Sequence, residues 1–210
     1  MHKKLMLICL LLLVGCTRVN DNGNYIESVQ GCLKEHNHVN EVSLGYQYYL
    51  PKGVSKLRDY DYNQVFLIDH CYMYLYVDVV SYFYKSDLIA SKKEEDYYYQ
   101  SFDYKGKHGY IRILEDDQNQ YYLSIVYHYS KMEGYVPKEK LTKIITLSSI
   151  ILNSIEYNDT VIEKVLEGDL GQFSEFTYEV KKPDGASSNF SQYLEEYVQK
   201  EDETEQLPDE

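Results

Sequence analysis

The strongest constraint on the fold is a run of alternating side chains near the middle of the chain. In residues 72–81, one set of side chains is aliphatic and the other is mostly tyrosine: Met73, Leu75, Val77 and Val79 alternate with Tyr72, Tyr74, Tyr76 and Asp78. Successive side chains of a strand point to opposite faces, so this run predicts a strand with one aliphatic and one tyrosine face. The rest of the fold must cover the aliphatic face.

Further strands are expected on both sides of this run. Residues 44–50 place four apolar or aromatic side chains on one face before the turn at Pro51 and Gly53, and residues 65–68 are apolar throughout. Three more runs, at 97–104, 110–115 and 120–130, are separated by turn-forming residues. Turn residues between β-branched and aromatic runs are typical of hairpins, so these strands are expected to be consecutive and antiparallel.

The apolar period becomes helical after Pro137. The stripe consists of Leu141, Ile144, Ile145, Ile151, Leu152 and Ile155, with Ser148 between them. Such spacing predicts a helix that lies across the sheet. Weaker patterns predict a helix in residues 25–41, a short helix capped by Asn158 or Asp159, and a last strand at 172–181.

These patterns together predict an α+β fold. We expect an antiparallel sheet of about five to seven strands packed by a C-terminal helix, with an α-β-α sandwich as the more specific arrangement. Residues 25–182 would form a single domain, followed by a C-terminal helix at 183–200 and an acidic tail at 201–210. Before the domain, residues 1–15 are expected to be a signal peptide and residues 16–24 a polar tether.

The first sixteen residues indicate where the protein is located. Lys3 and Lys4 precede an apolar run at 5–14, which as a helix spans about 15 Å, roughly half of a bilayer core. The motif Leu13-Val14-Gly15-Cys16 resembles the lipobox of bacterial lipoproteins. This resemblance implies cleavage before Cys16, lipidation of Cys16, and anchoring on the extracytoplasmic face of the cell membrane. The alternative is an ordinary signal peptide, or a short buried segment, in which Cys16 is incidental.

The order of the predicted secondary-structure elements resembles that of a second family. A strand, a Pro-x-Gly turn, antiparallel strands and a helix ending in Ile151-Leu152-Asn153-Ser154-Ile155 are similar to the PsbP/Mog1-like α-β-α sandwich found in small bacterial lipoproteins. The similarity covers about residues 42–157, and Val54 stands where that family often has Trp. The resemblance implies binding or assembly rather than chemistry.

Charge and cysteine content limit the partners and the chemistry. Cleavage before Cys16 would remove Lys3 and Lys4 and take the formal net charge from −13 to −15, which argues against nucleic acid or an anionic bilayer as partner. Cys32 and Cys71 would then be the cysteines left for a disulfide, which can persist outside the cytoplasm. Their spacing does not show whether they approach within bonding distance, so a bridge and two separate thiols remain alternatives.

Candidate catalytic and metal-binding groups are sparse. Glu35, His36, His38 and Glu41 are the densest set of ligands of the type that zinc prefers, but solvated polar surface is the favoured interpretation. His70 next to Cys71 suggests a base beside a thiol, yet neighbours in a strand point to opposite faces. No nucleophile elbow or phosphate-binding glycine loop is present. We therefore expect no catalytic residues, metal or cofactor.

The tyrosines remain as candidates for a binding surface. There are 25 of them and no Trp, and Tyr72, Tyr74 and Tyr76 share one strand face. Tyrosine is enriched at interfaces, but it is also a good strand former that packs beneath helices. The sequence thus favours a non-catalytic binding or assembly module whose ligand is an envelope protein or a glycan. The alternative is an extracytoplasmic hydrolase whose active site is assembled only by the fold.

Overall fold

The computed structural model describes residues 24–86 and 90–168. Several predictions fall outside these residues. They are the signal peptide, the lipobox with Leu13, Val14, Gly15 and Cys16, the tether up to residue 23, the last strand at 172–181, the C-terminal helix and the acidic tail.

The described part of the chain contains ten strands. In chain order they are β1 (Glu41–Ser43), β2 (Tyr46–Tyr48), β3 (Val54–Tyr60), β4 (Asn63–Ile68), β5 (Cys71–Val77), β6 (Asp96–Tyr104), β7 (Lys107–Glu115), β8 (Gln120–Tyr127), β9 (Ser130–Pro137) and β10 (Glu156–Tyr157). Seven of them form one sheet in the order β3-β4-β5-β9-β8-β7-β6, and every neighbouring pair is antiparallel. The predicted α+β fold with an antiparallel sheet is confirmed.

Four α-helices accompany the strands in the described residues. They are α1 (Tyr25–Leu33), α2 (Val79–Tyr84), α3 (Leu141–Asn153) and α4 (Asp159–Leu166). Helix α3 packs across β8 and β9, and α1 packs against α3. Both α3 and the short helix capped by Asn158 agree with the sequence prediction, and the Asn158 side chain accepts a hydrogen bond from the Val161 amide. The sandwich arrangement also requires helices on the other face of the sheet, and the helix predicted at 183–200 lies outside the described residues.

The core lies between α3 and the large sheet. Its side chains include Met73, Leu75, Leu123, Ile125 and Met132, each of them at most 1 % exposed. Each such side chain contributes about 1.5–3 kcal/mol when it is removed from water. The aliphatic face predicted for residues 72–81 is therefore the face that α3 covers.

The strand predicted at residues 72–81 is shorter than expected. It ends at Val77, and Asp78 caps α2 by accepting a hydrogen bond from the Ser81 amide. Val79 is buried as the first residue of this helix rather than as part of the sheet face. A side-chain cap at Asp78 thus overrides the alternation that continues through Val79.

The strand predicted at residues 120–130 is present but ends early, at Tyr127. The chain turns at His128 and Tyr129, both with positive φ (47° and 66°), and β8 and β9 form a hairpin around them. Two-residue hairpin turns of this kind usually contain Asn or Gly, which tolerate positive φ, so the sequence carries no ordinary turn signal here. Pro137 ends β9, and α3 begins at Leu141.

A small second sheet closes the end of the core. Residues 44–50 are split by a turn at Gly45, and β2 lies between β1 and β10. Tyr46 and Tyr48 of β2 are buried, and the Tyr48 ring lies 6.1 Å from that of Phe66. A side chain at Gly45 would come within 2.8 Å of Ile162, so α4 packs closely on this turn.

Candidate functional site

The face of the large sheet opposite α3 is lined by tyrosines. The pairing register places side chains of β5, β9, β8, β7 and β6 on this common face. We call it the tyrosine face, and its tyrosines are Tyr72, Tyr74, Tyr76, Tyr99, Tyr110, Tyr122 and Tyr135. Tyr74 is buried and the other six are half-buried.

Glu133 lies at the centre of the tyrosine face. Its carboxylate accepts a hydrogen bond of 2.6 Å from the Tyr122 hydroxyl and forms an ion pair of 2.8 Å with Lys131. The Glu133 side chain is only 16 % exposed, so this charge is partly shielded from water. Burial and then the bond to Glu133 raise the pKa of Tyr122, so its hydroxyl remains a protonated donor.

Arg112 provides a second positive charge on the same face, besides Lys131. Register places it opposite Ser124, which in turn lies opposite Glu133, so the three form one row across β7, β8 and β9. The guanidinium lies 5.3 Å from the Tyr99 ring and 5.8 Å from the Tyr110 ring. Planar guanidinium groups and aromatic rings attract one another at such distances.

Arg112 also ties down the loop that precedes β6. It forms an ion pair of 3.0 Å with Asp96 and donates a hydrogen bond of 2.6 Å to the Ser91 carbonyl. The Tyr99 hydroxyl donates to the Ala90 carbonyl at 2.6 Å. These bonds hold the loop against one margin of the tyrosine face and fix the orientation of both side chains.

The face presents a defined set of chemical groups. Tyrosine rings offer apolar contact, while their hydroxyls, the Glu133 carboxylate, the Arg112 guanidinium and the Lys131 ammonium offer hydrogen bonds. This surface suits a ligand with many polar groups, because hydrogen-bond donors and acceptors of the ligand both find partners on the sheet. The groups lie on a broad sheet surface and do not converge on one reacting atom.

The three predicted tyrosines lie on this face, but they differ in exposure. Tyr74 is only 6 % exposed, so it cannot present its ring to a ligand as the sequence prediction assumed. Tyr72 and Tyr76 are half-buried on either side of it. Tyr110 and Tyr135 were not among the predicted site residues. The alternation within β7 and β9 is the signal that assigns each to a face, but only the pairing register brings them together.

Of the two alternatives for Cys32 and Cys71, the structure has two separate thiols, both of them buried. The Cys32 thiol donates to the Thr146 carbonyl on α3, whereas the Cys71 thiol donates to the Asp69 carbonyl beside its own strand. Burial raises the pKa of each thiol to about 11, so both stay protonated at neutral pH.

The other candidate groups do not assemble into a site. The His36 and His38 rings are in edge-to-face contact, with centroids 6.0 Å apart, but Glu41 is paired with Lys56. Within residues 24–86 and 90–168, no three His, Cys, Asp or Glu side chains are placed to hold a metal ion. His70 lies in the turn before β5 with positive φ and is exposed, while Cys71 is buried.

In the described part of the chain, none of the helices has the length and apolar character needed to cross a bilayer.

A scan of known protein-family models gives no match to this chain, and a search of curated proteins finds no relative.

Proposed function

We propose that this chain is a lipid-anchored extracytoplasmic binding or assembly module that holds an envelope protein or a glycan on its tyrosine face without catalysing a reaction. The observation that carries the proposal is the concentration of seven tyrosines, Arg112 and Glu133 on one face of a rigid sheet. Tyrosine and arginine are the residue types enriched where proteins contact ligands.

The existing bonds of the polar groups support a binding role. The carboxylate of Glu133 is held by Tyr122 and Lys131, and the guanidinium of Arg112 is held by Asp96 and Ser91. Groups that are already fixed lose little side-chain entropy when a ligand arrives. The face is thus preorganised for recognition.

The anchor is supported by the sequence alone. A basic start, an apolar run and Leu13-Val14-Gly15-Cys16 are arranged as in bacterial lipoproteins. We expect cells that produce the chain to incorporate a clickable fatty acid into it, and Cys16→Ala to abolish that labelling. Equal labelling of the two proteins would reject the anchor and leave the binding face to be judged separately.

The binding face is tested by substituting half-buried tyrosines rather than the buried Tyr74. Tyr110→Ser with Tyr135→Ser removes two rings from the face, and Tyr84→Ser with Tyr97→Ser is the matched control at exposed positions elsewhere. Sedimentation with purified peptidoglycan sacculi measures binding to a glycan, and crosslinking in membranes measures binding to a protein. We expect the first variant to lose at least about tenfold in affinity for its ligand, as expected for two contact residues, and the control to retain it. Equal binding by both variants would reject this face as the site.

A further inference from the structure

A second candidate site lies on the opposite side of the molecule's core, beside α3. A cavity of about 530 Å³ is lined by Lys52, Gly53, Asp69, Lys143, Thr146 and Leu147. This volume is in the range of small-ligand sites. Its walls come from three separate elements: the Pro-x-Gly turn before β3, the β4–β5 turn, and the exposed side of α3.

The charge of this cavity is opposite to that of the chain. Lys52 and Lys143 line it, and Lys140 donates a hydrogen bond of 2.9 Å to the backbone carbonyl of Asp69. The Asp69 carboxylate is the one acidic group among the lining residues, in a chain whose formal net charge is −13. The two lining lysines outnumber the one lining carboxylate, which leaves an excess of positive charge facing the cavity.

One lysine of the cavity already binds an anion, the carboxylate of Asp69. Its carboxylate is bound by Lys143 at 2.9 Å, and that bond and the nearby lysines lower its pKa. The Lys143 side chain remains 59 % exposed, so it can reach a ligand in solvent. Asp69 therefore acts as an internal anion that competes with a ligand for Lys143.

We propose that this cavity binds a phosphate group, with Lys52 and Lys143 as its direct contacts and Asp69 as an internal competitor. Compact ammonium groups are ordinary phosphate ligands, and the leucine and glycine of the lining leave room for the rest of a small molecule. The phosphate is either free in solution or part of a phospholipid headgroup, and the chemistry at the lysines is the same for both.

The test uses the full chain in non-ionic detergent with two probes, inorganic phosphate and the soluble headgroup analogue glycerophosphoglycerol. Binding is measured by calorimetry and by the NMR shift of the Gly53 amide. Lys52→Gln with Lys143→Gln should weaken binding by about tenfold or more, since it removes two charge-assisted hydrogen bonds. Lys93→Gln is the matched control, because Lys93 is 58 % exposed and is also paired, with Glu95.

A second variant keeps the proposal independent of misfolding. Asp69→Asn removes the competing charge while keeping a residue that tolerates the φ of 50° at this position. We expect Asp69→Asn to bind phosphate several-fold more tightly, an effect that damage to the fold does not produce. Tighter binding of one probe identifies the source of the phosphate and supports the site. No saturable binding of either probe, or equal loss in the Lys93→Gln control, overturns it.

Discussion

Gly134→Ala tests whether β5 and β9 pack as closely as the register indicates. A Cβ at Gly134 would overlap the backbone carbonyl oxygen of Tyr72 and lie 2.8 Å from the Met73 sulfur, closer than the 3.4 Å at which ordinary contact begins. The backbone oxygen cannot rotate away as a flexible side chain would. The two strands must therefore separate, and this junction carries both Glu133 and Tyr74 of the tyrosine face.

The cost has two parts. Overpacking of a core costs about 1–3 kcal/mol, and each ladder hydrogen bond that lengthens costs about 1 kcal/mol more. We expect the free energy of unfolding to fall by about 3–4 kcal/mol, a large fraction of the 5–15 kcal/mol that is usual for a domain.

The measurement is urea denaturation followed by far-UV circular dichroism and tyrosine fluorescence, with linear extrapolation to water. Gly31→Ala is the matched control, because an added Cβ in α1 meets nothing within 4 Å. Alanine there should stabilise the protein by up to about 1 kcal/mol. A Gly134→Ala protein within 1 kcal/mol of the parent, or equal losses in both variants, would refute the close packing of β5 and β9.

Three further perturbations have expected outcomes. Burial, Lys107 and Lys85 lower the pKa of His128 to about 4, below the usual value of 6.5. The unfolded chain therefore binds this proton more readily than the folded protein does. The contribution of neutral His128 to the free energy of unfolding should be fully present above pH 6.5 and should decline as the pH falls towards 4. Because His128 is half-exposed, we expect it to account for a loss of only about 1 kcal/mol, so the fall in urea midpoint between pH 7 and pH 4 should be smaller in His128→Gln than in the parent. Asn158→Ala removes the cap of α4 and should lower the free energy of unfolding by about 1 kcal/mol in the same assay; no change would mean that the cap contributes nothing. Cys32 and Cys71 should resist iodoacetamide at pH 8 in the folded protein and react in urea, and peptide mapping that finds them disulfide-linked would contradict the free thiols.

The elements that could be predicted from the sequence are those in which buried and exposed side chains alternate with the period of a strand or of a helix. Met73 and Leu75 face α3 because alternate positions of a strand share a face, and the stripe from Leu141 to Leu152 is buried because it repeats at helical spacing. In both cases local periodicity and tertiary burial select the same side chains.

Other elements are set by contacts that periodicity does not reveal. Strand β3 carries Lys56, Arg58 and Asp59 at the edge of the sheet and contains few apolar residues, so it was not predicted. The turn at His128 and Tyr129 adopts positive φ without Asn or Gly, because the pairing of β8 with β9 holds it. Local sequence gives no sign of either feature.

The candidate site was predicted only in part for a similar reason. Tyr72 and Tyr76 could be assigned to one face of one strand, but Glu133 and Arg112 join them through the order of the strands in the sheet. That order places β9 beside β5, although 52 residues separate the end of β5 from the start of β9. Strand order of this kind depends on the whole fold.

The small sheet and the pair of helices α1 and α3 join distant parts of the chain. The Asn153 side chain donates to the Cys32 carbonyl across 121 positions, and Gln47 donates to Glu156 across 109. Such distant contacts form slowly, because a long loop must close before they can be made. A chain synthesised from its N-terminus keeps Tyr46 and Tyr48 without their final partner strand until residues 156–157 emerge. Completion of the fold thus waits for almost the whole domain, and premature termination before β10 leaves a nascent chain prone to aggregation.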